Sequence, residues 1–154
     1  MRHILDPMAS VIRLYVDHPL VAGQSVPLTV KQSHYLFRVM RKGVGEKLEV
    51  FNGVDGEWSA EIIQAGRKSG ILLCRNMSRP LLLPPDLWLM FAPLKKSRSN
   101  FIVEKATEMG ASQIIPIKTD FTNLQRSRQD SLQRQAVEAA EQCGRLSVPE
   151  VREP

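Results

Sequence analysis

The sequence is short of several things, and each shortage closes off a class of explanation. Only two of its 154 residues are cysteine, Cys74 and Cys143, far apart and with no CxxC pair or histidine cluster beside them. A disulfide framework and a structural metal site are therefore not expected, and the thiols read as free, mostly buried side chains in a reducing cytoplasm. Long apolar runs are missing too. The longest, Leu87 to Leu94, is eight residues and cannot span a bilayer. Near the N-terminus only Val11–Val16 is apolar, and Arg13 interrupts it, so no secretory signal is read there. A soluble, cytoplasmic protein is the expectation.

Acid is in deficit. Asp and Glu number 16 against 21 Lys and Arg, a net charge of +5. The excess is uneven: residues 1–79 hold eleven basic and seven acidic residues, and residues 80–154 hold ten and nine. An acidic partner is implied, nucleic acid being the commonest, with the front half doing most of the holding. Glycine is scarce in the second half, where only Gly110 and Gly144 follow Arg79. What is present in quantity is hydrophobic residues, 43% of the chain, enough for a packed core.

After a lead-in over residues 1–10, Val11–Val16 and Val26–Val30 read as short strands. Lys31–Lys42 reads as a helix whose buried side is Tyr35, Leu36, Val39 and Met40, ended by Gly43 and Gly45. Lys47–Phe51 and Glu57–Gln64 flank an Asn-Gly turn and predict a hairpin, with Gly70–Met77 a further strand. Short strands with one helix predict a small, mostly β barrel over 11–79. The proline-punctuated stretch from Arg79 to Pro85 reads as a linker, after which the pattern changes. Leu87–Leu94 and Ser112–Ile117 read as strands buried on both faces, alternating with helices Arg98–Met109 and Asp130–Cys143. A further strand begins near Val148. The fold class expected is α+β followed by a parallel α/β layer, with an uncovered face and edge.

Three groups of residues could carry chemistry. On an α-helix, Lys31, His34, Arg38, Arg41 and Lys42 fall within one stripe with no acid among them. That pattern fits RNA contact and a solvated basic face equally well. Lys95, Lys96, Ser97 and Arg98 lie where a strand ends and a helix begins, the place where open parallel sheets bind ligands. A phosphate or anionic transition state suits that cluster, and cations at a helix N-terminus are otherwise mildly unfavourable. The bland alternative is a polar loop with Ser97 as helix cap. Glu104 and Glu108 are like charges four apart, and Lys105 is placed ideally for neither, so a partner from another element is anticipated. On the last helix Leu132, Ala136, Ala140 and Cys143 form a packing face. Arg134, Glu138, Glu141 and Arg145 line the other face, which reads as solvated, with Arg134 and Glu138 spaced as an ion pair.

The segment from His34 to Arg41, HYLFRVMR, followed by Val44-Gly45 and Phe51-Asn52-Gly53, resembles a signature of the small-subunit ribosomal RNA uracil-N3 methyltransferases, a SPOUT-class family. The resemblance continues in order through Lys95–Arg98, then Glu104-Lys105-Ala106-Thr107-Glu108-Met109-Gly110 with Ile114-Ile115-Pro116. It closes on Glu138-Ala139-Ala140-Glu141-Gln142-Cys143-Gly144-Arg145 with Val148-Pro149-Glu150, and in all covers residues 11–152. Glu104 stands where the family commonly has Gln. The resemblance implies a PUA-like RNA-binding barrel over 1–79 and, over 80–154, the first part of a SPOUT methyltransferase lobe. It implies S-adenosylmethionine as cofactor, 16S rRNA of the small ribosomal subunit as partner, N3 of a uridine as target and a homodimer as working form. The family continues about half as much chain again, through a Gly-rich cofactor-binding knot with no counterpart here. The expectation is thus a truncated chain with no cofactor site, inactive by itself, in which Lys95, Lys96, Arg98, Glu138, Glu141 and Arg145 form a substrate-facing rim. A plain RNA-binding module without catalysis is the alternative.

Overall fold

A computed structural model of the protein describes residues 11–120 and 129–153. The expected lead-in, 1–10, lies outside the described residues. The chain packs as two compact units, Met1–Pro80 and Leu81–Pro154.

The first unit is a mixed five-stranded half-barrel. Its strands are β1 (Arg13–Tyr15), β2 (Ser25–Pro27), β3 (Lys47–Phe51), β4 (Glu57–Ala65) and β5 (Gly70–Arg79), in the order β1-β3-β4-β5-β2. β1 runs parallel to β3, and the other pairings are antiparallel. Inward residues alternate along the strands, as a one-sided core requires: Leu48 and Val50, then Trp58, Ala60 and Ile62, then Leu72 and Cys74. Three register shifts interrupt the β4–β5 ladder, the kind of irregularity that bends long strands around a core. Cys74 is buried and its thiol is pushed up by burial, whereas Cys143 is exposed, so only one thiol follows the expectation of burial.

The Asn52-Gly53 turn is more than a reversal. Asn52 Oδ1 accepts from the backbone N–H of Val54 and Asp55, while its Nδ2 donates to the His18 carbonyl and to Asp55 Oδ2. Asp55 Oδ2 also accepts from Leu20 N–H, and Trp58 Nε1 donates to the Asp55 carbonyl. The turn thereby clips the segment after β1 onto the hairpin.

The second unit is a three-stranded parallel sheet, β6 (Trp88–Phe91), β7 (Gln113–Pro116) and β8 (Glu150–Val151), in that order. Helices α2 (Lys96–Glu108) and α3 (Gln129–Cys143) connect consecutive strands and pack on each other. With right-handed crossovers, a strand order that advances one way puts both helices on the same face. That face holds Val103, Ala106, Ile114, Leu132, Ala136 and Val151, with Leu89 and Phe91 against them. The expectation of strands buried on both faces is therefore corrected: Trp88 and Met90, on the opposite face of β6, are 50% and 64% exposed. The Arg152 guanidinium lies 5.6 Å from the Trp88 ring on that side.

Candidate nucleic-acid interface and candidate active-site rim

The basic element of the first unit starts at a capping box. Thr29 Oγ1 accepts from Gln32 N–H, and Gln32 Oε1 accepts from Thr29 N–H, so α1 begins at Val30. Gln32 Nε2 also donates to the Tyr15 carbonyl at 2.8 Å, pinning the helix to β1.

The helix expected over Lys31–Lys42 is shorter and of two kinds. It is α-helical from Val30 to His34 and a π-helix from Tyr35 to Val39. Met40 N–H reaches back to the Tyr35 carbonyl and Lys42 N–H to the Leu36 carbonyl, each at 2.9 Å, and Arg41 closes the turn in the left-handed region at φ 54°. The extra residue per turn rotates the faces. Ser33 and Leu36 are buried and Phe37 packs against the core, while Val39 is 58% exposed and Tyr35 and Met40 also face outward. The predicted buried side of Tyr35, Leu36, Val39 and Met40 holds for Leu36 alone.

Phe37 explains the arrangement. Its ring lies on Gly70, the first residue of β5, where a Cβ would come within 2.6 Å of two ring carbons and 2.9 Å of Leu28 Cδ1. Leu28 N–H donates to the Gly70 carbonyl at 2.9 Å. The bare glycine lets the π-helix settle beside the β4–β5 turn. His34 and Arg38 on the helix and Arg67 and Lys68 on the turn, with Val30, thereby line one cleft of about 330 Å3.

Of the five cations and donors predicted on the helix, the structure brings His34 and Arg38 together in this cleft. Lys31 is exposed on the same short α-helical turn. Arg41 and Lys42 fall past the helix, in its cap. Lys42 Nζ lies 2.8 Å from Glu46 Oε1, and Glu46 also accepts from Gly43 N–H, so an acid does stand beside that end of the stripe. Its neighbours, Lys42 Nζ first and Gly43 N–H next, hold the Glu46 carboxyl below the usual carboxylate range. Arg67 and Lys68 were not singled out from the sequence. The only signal was a basic Arg-Lys-Ser-Gly turn between two strands, which by default reads as solvated.

In the second unit Lys95 is the residue before α2, with no side-chain cap, and Lys96 opens the helix. Ser97 is not the cap. No side chain caps α2; Ser99, inside the helix, instead ties down the chain before it, its Oγ accepting from Leu94 N–H at 3.0 Å and donating to the Leu94 carbonyl at 3.1 Å. Lys95, Lys96 and Arg98 are all exposed, so the cations crowd a helix start that has no acidic residue in its first turn. The Glu104–Glu108 repulsion is relieved within the helix: Lys105 Nζ lies 3.2 Å from Glu104 and 2.9 Å from Glu108, and among the described residues no other element supplies a partner.

At the end of α3, Glu138 is exposed and Glu141 half-buried. No ion pair joins Arg134 to Glu138 among the described residues. Arg145 turns inward instead of facing solvent. Its Nη1 donates to the Thr107 carbonyl at 2.8 Å and its Nε to Ser147 Oγ at 3.0 Å, and burial pulls its pKa down. Thr107 is buried and donates its own hydroxyl to the Val103 carbonyl.

Two family models match the chain in order. One, described as RNA methyltransferase PUA domain, covers residues 28–73, and the other, described as RNA methyltransferase domain, covers 82–154. The chain thus carries, in order, matches to the PUA domain and the methyltransferase domain of RNA methyltransferases. The first match contains the whole cleft, and the second contains Lys95–Arg98, both helices and Arg145. Among curated relatives, the Ribosomal RNA small subunit methyltransferase E of Synechocystis sp. is 34% identical over 144 residues, spanning 92% of this chain and 47% of its own. The protein of that name from Buchnera aphidicola (subsp. Schizaphis graminum) is 25% identical over 149 residues, 92% of this chain and 61% of its own. The chain thus spans about half to three fifths of the length of these family members. Two solved structures share the fold. A Legionella pneumophila methyltransferase in complex with SAM superposes with a TM-score of 0.84 at 24% identity, over 94% of this chain and 62% of its own. A Neisseria gonorrhoeae Ribosomal RNA small subunit methyltransferase E bound to S-adenosyl methionine superposes with a TM-score of 0.81 at 21% identity, over 93% and 62%.

Proposed function

We propose that the protein serves S-adenosylmethionine-dependent methylation of N3 of a uridine in the 16S rRNA of the small ribosomal subunit. It would act in the cytoplasm and work as a homodimer, as the family resemblance implies. In this reading 1–79 is the PUA-like RNA-binding domain and 80–154 is part of the methyltransferase domain. Lys31, His34 and Arg38 hold RNA, with Arg41 and Lys42 at the edge. Lys95, Lys96, Arg98, Glu138 and Glu141 face the substrate, with Arg145 bracing them. The observation that carries the proposal is the ordered match to both domains of one RNA methyltransferase family, with the basic cleft inside the first.

The described residues do not fit the cofactor itself. S-adenosylmethionine is a sulfonium cation carrying an adenosine, and it needs an enclosed pocket with apolar walls and close backbone turns. Lys95, Lys96 and Arg98 offer exposed cations, which suit a phosphate and repel a sulfonium. The glycines after Arg79, Gly110 and Gly144, both sit at positive φ where helices end, so neither belongs to a cradle loop. No step is therefore derived through the cofactor from the described residues.

The test is genetic and chemical. Disrupting the gene should remove N3-methyluridine from 16S rRNA, measured by mass spectrometry of its nucleosides, and the intact gene should restore it. Persistence of the modified nucleoside would overturn the proposal.

A further inference from the structure

We infer that the π-helix and the β4–β5 turn are two jaws of a binding site for one nucleotide of an unpaired RNA segment, in which Arg67 and Lys68 act together with His34 and Arg38. The inference rests on the RNA reading above and specifies the form of the RNA and the residues that grip it.

Four observations support it. The cleft converges three fixed cations and an imidazole from two elements far apart in sequence. Among the described residues none of Arg38, Arg67 and Lys68 forms an ion pair with a carboxylate, whereas Arg13, Arg75, Arg79, Lys42 and Lys105 all do. Cations brought together and left without an internal anion are arranged for an external one. The juxtaposition is also built in: Phe37 on Gly70 holds the helix against the turn, and Gly66 keeps that turn tight, since a Cβ there would meet the Ser69 carbonyl oxygen at 2.5 Å. Finally, Val30 gives the cleft an apolar side beside its charged ones.

Size and shape choose the occupant. A cleft of about 330 Å3 has room for a single nucleotide and none for a duplex. Duplex RNA shows its phosphates on a convex surface, and sequence-tolerant grip on single strands instead combines cations for the backbone with an apolar surface for the base. A phosphate between Arg38 and the Arg67–Lys68 jaw, with the adjoining nucleoside against Val30, satisfies both.

The experiment uses the 154-residue chain and fluorescence anisotropy across a salt series. The probes are a 16S rRNA hairpin with an unpaired loop and a fully paired RNA duplex of equal length. The loop RNA should bind more tightly than the duplex. The double variant Arg67→Ala/Lys68→Ala should weaken loop binding on the order of tenfold and lower the salt slope by about 0.7, the value for one single-strand phosphate. Arg67→Lys/Lys68→Arg should keep wild-type binding. Lys47→Ala/Arg75→Ala, which removes the same charge from β3 and β5, should leave the slope unchanged. If Arg38→Ala weakens binding and Arg67→Ala/Lys68→Ala does not, the two-jaw site is wrong and the RNA reading stands. Equal affinity for loop and duplex would overturn the single-nucleotide assignment. Absence of binding to either probe at low salt would remove both readings.

Discussion

Arg145 Nη1 meets the carbonyl oxygen of Thr107 at 2.8 Å, so the segment after α3 is fastened to the last turn of α2. The two most specific stretches of the second unit, Glu104–Gly110 and Glu138–Arg145, are thus held together by one charge-assisted hydrogen bond between partly buried groups. Hydrogen bonds to charged groups contribute about 1.5–3 kcal/mol. Arg145→Ala should cost that much in urea unfolding. Arg145→Lys should recover only part of it, since one ammonium cannot serve both Thr107 and Ser147 in guanidinium geometry. Unchanged stability with lost RNA binding would assign Arg145 to the substrate instead.

Gly70 under Phe37 gives the second prediction. A methyl group at Gly70 overlaps the ring, and overpacking of this kind costs about 1–3 kcal/mol. Gly70→Ala should therefore destabilise the first unit, and Phe37→Leu in the same chain should relieve part of the loss. A double-mutant cycle reads the coupling. Additive losses would show that the contact does not position the π-helix.

Acid should loosen the half-barrel through Glu57. This carboxylate is 3% exposed and accepts from Arg13 Nε at 2.5 Å and Arg79 Nε at 2.6 Å. Burial pushes its pKa up, but the hydrogen bonds from Arg79 and Arg13, with their charges, outweigh burial and leave it below the usual carboxylate range. A folded-state pKa below the unfolded value, about 4.3, means full stabilisation above that pH and loss as pH falls through the folded value. Asp55 is displaced in the same direction, by Leu20 N–H first and then Asn52. Stability of the first unit should thus decline below about pH 4.3. Glu57→Gln should cost about 2–3 kcal/mol at pH 7 and flatten the decline without abolishing it. An unchanged acid profile in Glu57→Gln would show that the Arg13–Glu57–Arg79 group is not its main source.

The two units should open at different rates. β6 has one uncovered face and four residues, and β8 has two, whereas β3, β4 and β5 form a longer ladder over a continuous core. Hydrogen exchange should be faster at Leu89 and Ile114 than at Val50 and Ile62. Equal protection would mean that the open face of β6 is covered in solution.

Much of this was legible in the sequence for reasons that are local. Period-two alternation in Leu48–Val50 and Trp58–Ile62, and the Asn52-Gly53 turn between them, specify a hairpin from neighbouring residues alone. The π-helix was not legible. Tyr35, Leu36, Val39 and Met40 satisfy an α-helical pattern, and what rotates them outward is the fit of Phe37 against Gly70, a residue 33 positions away. The exposure of Trp88 and Met90 was hidden similarly, because an apolar run does not say which sheet face the helices will cover. Arg67 and Lys68 escaped notice because a basic turn acquires meaning only from what packs beside it.

The cofactor prediction is separate from all of these. Calorimetry of the 154-residue chain with S-adenosylmethionine should show no binding heat, since the described cations around Lys95 form no pocket for a sulfonium. Micromolar binding would reveal a site not accounted for by these residues.

The most direct test of the central claim, that this chain holds ribosomal RNA through converging cations, is the salt dependence of its affinity for a 16S rRNA fragment. Phosphate contacts predict a straight line of log K against log salt that falls with a slope of about −0.7 to −0.9 for each phosphate held. Arg38→Ala should make it shallower by about 0.7–0.9. A slope near zero, or a wild-type slope retained in Arg38→Ala, would contradict the account.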